Sequence, residues 1–142
     1  MSNTLAIIRI RGVHDISKDL IKAFECLHLL RKHSCSLVED TPSIRGQIQK
    51  VKDHVTWGLI DDETQKLLVE KRGKEFKGRL EDSQGKIKYK VLEIGGKKLK
   101  PHFNLHPPKG GFERKGIKVA FKTGGALGDR KEKINDLIKK MI

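Results

Sequence analysis

TPSIRGQIQKVKDHVTWGL, residues Thr41–Leu59, decides how this chain folds. Thr41 followed by Pro42 is a helix start: threonine is a favoured N-cap, and proline at the first helical position loses no hydrogen bond by lacking an N–H. Ile44, Ile48 and Val51 then recur at helical spacing, with Arg45, Gln49 and Lys52 on another face. Gly46 lies inside the helix, where it costs about 1 kcal/mol relative to alanine. Such a cost points to close packing or to close approach of another backbone. Val55–Leu59 reads as a strand and holds the only tryptophan, Trp57.

Working towards the N-terminus, Ser34–Glu39 (SCSLVE) is a second strand. Before it, Ser17 caps a helix beginning at Lys18, with Leu20, Phe24, Leu27 and Arg31 at three- and four-residue steps. Leu5–Arg11 alternates as a strand, Ala6, Ile8 and Ile10 facing one way and Ile7, Arg9 and Arg11 the other. Residues 1–60 therefore predict a compact α+β core domain of β-α-β-α-β order, with helices on one face of a small sheet. Residues 61–142 follow as a helix, a basic glycine-rich extension and a C-terminal helix packed on the core. Asp61 or Asp62 caps the helix through Val69, closed by Gly73. Ile87, Tyr89 and Val91 alternate as a strand, with turns at 83–85 and 95–96. Residues 102–106 and 117–121 read as short strands. Asp129–Ile142 reads as a helix with Ile134, Leu137, Ile138 and Met141 as its apolar stripe.

Charge separates the two parts. The chain of 142 residues carries a net charge of +13. Residues 1–60 have nine Lys/Arg against six Asp/Glu, and residues 61–142 have twenty-two against twelve, so the excess lies in the second half. Between Lys97 and Lys122 there are eight Lys/Arg and one acid, Glu113. That cluster, jointed by glycines, fits a polyanion of irregular shape, RNA above all. Its repulsion, prolines and glycines predict few backbone pairings across 101–125.

Three constellations are candidate RNA contacts. The first is the helix start and face with Thr41, Arg45, Gly46, Gln49 and Lys52, where a helix N-terminus and a guanidinium can hold phosphate. The second is the loop His106-Pro-Pro-Lys109-Gly110-Gly111, continued by Arg114, Lys115 and Lys118, with Phe112 anchoring it to the core or stacking on a base. The third is Lys122, Gly124 and Gly125, a glycine turn leading to the last helix with Arg130 at its mouth. Arg9 and Arg11 on the first strand complete the set.

Other chemistries find little support. Lys122–Gly128 lacks the G-x-x-x-x-G-K-[ST] order of a nucleotide-phosphate loop. Adjacent acid pairs such as Glu39-Asp40 and Asp61-Asp62 sit beside turns or helix starts, where capping explains them. Cys26, His28, His33 and Cys35 have zinc-type side chains, but a helix turns the first two apart, so no metal is expected. Two cysteines make no disulfide framework, and the N-terminal apolar run is too short for a signal peptide or membrane span. The expectation is a cytoplasmic protein with no cofactor, no small-molecule substrate and no membrane partner. A free-standing RNA chaperone or regulator is the competing reading.

TPSIRGQIQKV at 41–51, VTWGLID at 55–61, NLHPPKGGFERKG at 104–116 and TGGALGDRKEKINDLI at 123–138 occur in order. Together they resemble the archaeal and eukaryotic branch of the universal large-subunit ribosomal protein family thirty, numbered seven in eukaryotes. The resemblance covers nearly the whole chain except Lys74–Lys100, and the first sixty residues are similar to the entire short bacterial member. It implies a small three-stranded antiparallel sheet of strand order 3-1-2, half of a ferredoxin-like fold, with two helices on one face, a C-terminal extension returning to the core, no catalysis, and large-subunit ribosomal RNA near the 5S RNA as partner, beside other ribosomal proteins.

Overall fold

Strand β1 (Thr4–Arg9) pairs antiparallel on both sides, so it is the centre on which the rest is assembled. A computed structural model of the protein describes residues 3–12, 14, 16–78, 83–85, 92–94 and 97–142. After β1 come α1 (Lys18–Cys26), β2 (Ser34–Glu39), α2 (Pro42–Val51), β3 (Val55–Leu59) and α3 (Asp62–Arg72). The second half adds β4 (Leu92–Ile94), β5 (Lys97–Leu99), β6 (His102–Asn104), β7 (Gly128–Asp129) and α4 (Ile134–Met141). Ile7 lies opposite Ser36 of β2 and Trp57 of β3, giving the expected β3-β1-β2 order.

The C-terminal half extends that sheet at both edges. β6 joins β2 antiparallel, Cys35 facing Phe103, and β7 joins β3 in parallel, Trp57 facing Asp129. The full order is β6-β2-β1-β3-β7. Both edges of the three-stranded core are thereby paired, which removes open templates for aggregation. β4 and β5 form a separate two-stranded hairpin.

As expected, the two helices of residues 1–60 share one face of the sheet; the other face is covered by α3 and α4, from the second half of the chain. Leu5 and Ile7 pack with Phe24 and Leu27, Ile48 and Val51, the inward residues of α1, its C-cap and α2. Ala6 and Ile8 pack with Leu68 of α3 and with Ile134, Leu137, Ile138 and Met141 of α4. A strand with isoleucine on both sides is one buried on both faces. Ile10 passes into a third cluster with Ala126 and Leu127, on which Phe112 and Ile117 also pack.

Local signals hold where they were strongest. Thr41 Oγ1 accepts from the Ile44 N–H at 3.3 Å, and Ser17 Oγ from that of Leu20 at 3.4 Å. The helix from Lys18 nevertheless stops at Cys26, short of Arg31, because His28 takes a left-handed φ of 58° and turns the chain. Leu27 and Leu29 are buried in that turn. Asp129 belongs to β7 rather than to the last helix, which begins at Ile134 after a 3-10 turn at Lys131–Lys133. Residues 117–121 form no strand; a single bridge joins Ala120 to Leu127 beside a 3-10 turn at Phe121–Thr123. The strand expected at 87–91 and the turn at 95–96 lie outside the described residues.

α4 docks through two particular contacts. Asn135 Oδ1 accepts from the Asp61 N–H at 3.0 Å, while its Nδ2 donates to the Leu59 carbonyl at 3.3 Å and the Glu132 carbonyl at 2.8 Å. Gly58 lets the chain approach: a Cβ there would sit 2.1 Å from the Lys131 carbonyl oxygen and 2.8 Å from Ile134 Cβ.

Candidate nucleic-acid interface

Because β7 pairs with β3, the basic C-terminal segment lies against the exposed flank of α2. Two adjoining clefts run between them, of about 340 and 860 Å³. They share Arg45, Trp57, Lys122 and Asp129. Gln49 and Gly128 line the first, and Leu59, Phe121, Lys131 and Lys133 line the second. Trp57 is half-buried at the β3 edge, and Leu59 is 43% exposed. The clefts thus offer two aromatic side chains, Trp57 and Phe121, and four exposed cations, Arg45, Lys122, Lys131 and Lys133, against Asp129 and Glu132. Stacking on aromatic rings inside a cationic groove is how unpaired bases are commonly held.

The start of α2 is less open to phosphate than its sequence suggests. Pro42 has no N–H, and that of Ile44 is already held by Thr41. Arg45 forks onto Asp40, Nε to Oδ1 at 2.5 Å and Nη2 to Oδ2 at 2.6 Å. That hydrogen bonding holds the Asp40 carboxyl below its ordinary range and raises the guanidinium. The Arg45 side chain is still 58% exposed, so its outer face is available. Gly46 has nothing within 4 Å of where a Cβ would stand. It is not packed on the sheet, which leaves close approach from outside as the reading of its cost. Gln49 and Lys52 are exposed on the same helix or at its end.

The loop after β6 is moored elsewhere. The His106 N–H donates to the Met141 carbonyl at 2.9 Å and that of Lys109 to the Lys140 carbonyl at 3.3 Å, so this turn sits at the end of α4. Gly110 and Gly111 both take left-handed φ, 80° and 84°, in open space. His106, Lys109, Arg114, Lys115 and Lys118 are exposed. Phe112 is an anchor: its ring stacks on His33 with centroids 5.7 Å apart, and it packs on two apolar clusters.

Several expected contacts prove to be internal. Arg9 is 2% exposed; it donates to the carbonyls of Leu29 at 2.8 Å, Arg11 at 3.1 Å and Gly12 at 3.3 Å, with its guanidinium 3.7 Å from the Phe24 ring centre. Arg11 is half-buried and reaches the Asp53 carbonyl at 3.4 Å. Arg130, 4% exposed, donates to Thr56 Oγ1 at 3.0 Å, Glu113 Oε1 at 2.9 Å and the Ala126 carbonyl at 3.1 Å. It precedes the 3-10 turn that leads into α4, but its buried guanidinium clamps the basic segment to β3 and is taken up by internal partners. Gly125 is buried, and a Cβ there would lie 2.0 Å from the Val119 carbonyl oxygen, so it serves packing. Gly124 is exposed at φ 97°, with the Lys115 stem alongside. The expectation of few backbone pairings is corrected too. N–H groups of Lys115, Gly125, Ala126 and Leu127 reach the carbonyls of Gly124, Ala120, Gly116 and Val119 at 2.9–3.2 Å.

Cys35 is fully buried, its thiol pushed up to about 12, whereas Cys26 is exposed. Among the described residues no group of three His, Cys, Asp or Glu is gathered for a metal, and no helix is long and apolar enough to cross a membrane. Trp57, Lys131 and Lys133 also line the clefts, although in sequence the first reads only as a strand residue and the others only as part of a helix, and no local signal places them beside Arg45.

A five-stranded α+β sheet covered by helices on both faces, with a cationic cleft and basic loops on its surface, defines a small protein built to present charge on a folded frame. Residues 5–55 match the family described as ribosomal protein L30p/L7e. The large ribosomal subunit protein uL30 of Methanopyrus kandleri is 40% identical, over 93% of this chain and 99% of its own length. That of Nanoarchaeum equitans is 42% identical over 96% and 97%, and that of Staphylothermus marinus 37% over the full length of both. The chain belongs to this L30p/L7e family of ribosomal proteins, in its archaeal branch. Its role is accordingly structural and ribosomal-RNA-binding, not catalytic.

Proposed function

We propose that the chain is a structural constituent of the large ribosomal subunit, in the cytoplasm, and grips ribosomal RNA with the α2 flank and the basic C-terminal loops. The observation that carries this is the convergence of Arg45 and Gln49 from α2 with Lys122 from the basic segment in one cleft. Relatives matching along their whole length are named for the large subunit, which supports the assignment. Exposed Lys109, Arg114, Lys115, Lys118 and Lys122 supply phosphate neutralisation. The cleft adds shape, and Trp57 a stacking surface for an unpaired base. A place near the 5S RNA, beside other ribosomal proteins, is part of the proposal.

Two measurements test it. In high salt the protein should stay with sedimenting large subunits; release into the supernatant would favour a free-standing RNA chaperone. On isolated ribosomal RNA, six to eight neutralised phosphates give a log–log salt slope of about −5 to −7. A slope near zero would end the phosphate-dominated mechanism.

A further inference from the structure

The opposite edge of the sheet carries a second cationic cavity that none of the contacts above uses. It has about 380 Å³ and is lined by Arg31, Lys74, Lys100, His102 and Asn104, with Glu25 as its only acid. The three cations come from three separate stretches of chain: the turn after α1, the residues after α3, and the link between β5 and β6. All three are exposed.

Backbone pairing fixes the three stretches relative to one another. The Ser34 N–H donates to the Arg31 carbonyl at 3.2 Å, and Ser34 lies opposite Asn104 in the β2–β6 ladder. The Lys100 N–H donates to the Lys74 carbonyl at 2.9 Å, and that of Phe76 to the Lys98 carbonyl at 2.9 Å. Like charges are therefore held together around one cavity by the fold, against their own repulsion and with one carboxylate to offset them. Burial first, then Lys100, Lys74 and Arg31, push His102 below its usual range. At neutral pH it adds a neutral N–H donor, not a fourth charge.

We infer that Arg31, Lys74, Lys100, His102 and Asn104 form a second phosphate-backbone site, and that the protein bridges two separate segments of RNA across its sheet. The occupant is an RNA backbone because the lining is donors, with one acid and only Leu30 as an apolar side chain. The inference rests on the reading that the chain binds ribosomal RNA. β6 and β7 are the outer strands of five. At about 4.8 Å per step they stand about 19 Å apart. That exceeds the ~8 Å screening length at physiological salt, so the two edges act as independent contacts rather than as one continuous patch.

The test uses the full chain and protein-free large-subunit rRNA transcribed in vitro. One variant combines Arg31→Gln, Lys74→Gln and Lys100→Gln; another combines Arg45→Gln and Lys122→Gln. All five positions are exposed. Thermal melts confirm that the folds are kept. The first variant should lower affinity ten- to a hundredfold at 0.15 M salt and reduce the salt slope by about two to three units. Hydroxyl-radical footprinting should show it losing one protected region while keeping the region that the second variant loses. If only the second variant weakens binding, the bridging inference falls and the cleft reading stands. If both variants lose the same protected region, the two edges serve one contact and bridging is wrong. If neither variant changes affinity or slope, both readings fall together.

Discussion

Replacing Arg130 separates a clamp from an RNA contact. Arg130→Met keeps most of the side-chain volume and removes every donor. The Ala126 carbonyl loses its partner in a buried place, which costs about 1–3 kcal/mol. Thr56 Oγ1 keeps its bond to the Gly128 carbonyl at 2.8 Å, so its loss is smaller. Glu113 is 34% exposed and turns to water. Burying a cation is itself unfavourable, as the depressed Arg130 pKa reports, and that cost disappears in the variant. The net expectation is about 1–3 kcal/mol of destabilisation, or roughly 3–12 °C in melting temperature for a domain of this size. Arg130→Lys keeps the charge but can serve only one of the three acceptors, so it should fall most of the same way. Circular dichroism melts give the first number, and hydrogen exchange should show lost protection at residues 115–127. If Arg130→Lys melts with the wild type and instead loses RNA affinity, Arg130 is an RNA contact and the clamp is wrong.

Three further outcomes are expected. Arg45→Lys should weaken RNA binding by about 1 kcal/mol or more with charge conserved, because lysine cannot fork, whereas Asp40→Asn should release the guanidinium and raise affinity; filter binding of both variants decides. Trp57→Phe should retain RNA affinity while Trp57→Leu lowers it by about 1–2 kcal/mol at similar stability, and equal binding by the two would remove stacking from the mechanism. Burial depresses His33, His54 and His102, so unfolding lets them bind protons near their ordinary value of about 6.5. Their contribution is complete above that pH and is lost as pH falls through the lower folded values. Melting temperature should thus decline from pH 7.5 to 5.5, and a flat or rising profile contradicts the assignment.

The legible parts of this fold are those with a local period or a local cap. Thr41-Pro42, the Ser17 cap and the Ile134–Met141 stripe each declare themselves within one or two helical turns. β6 and β7, of three and two residues, carry no period, and their pairing with β2 and β3 joins positions about seventy residues apart. The second layer of helices is foreshadowed by isoleucine on both sides of β1, a signal masked by Arg9 and Arg11, which read as one polar face. Arg9 and Arg130 misled for the same reason. A buried arginine satisfied by carbonyls looks, in sequence, like any surface cation. The cationic cleft is not legible because Trp57, Lys122 and Lys131 meet only through the two-residue β7.

Synthesis runs from the N-terminus, and this architecture gives that direction a meaning. Three strands and two helices exist once residue 60 has been made, yet Ala6, Ile8, Cys35 and Leu37 still lack their cover. That cover comes from α3 and from α4, the last element described. A nascent chain halted before Ile134 therefore shows an open apolar sheet face, the kind of surface that chaperones and proteases recognise. The loops richest in lysine emerge just before α4 and are fastened to it at Lys140 and Met141. The mooring of the basic loops and the cover of the apolar face thus both wait on α4, so that one late helix completes the surface and the core together.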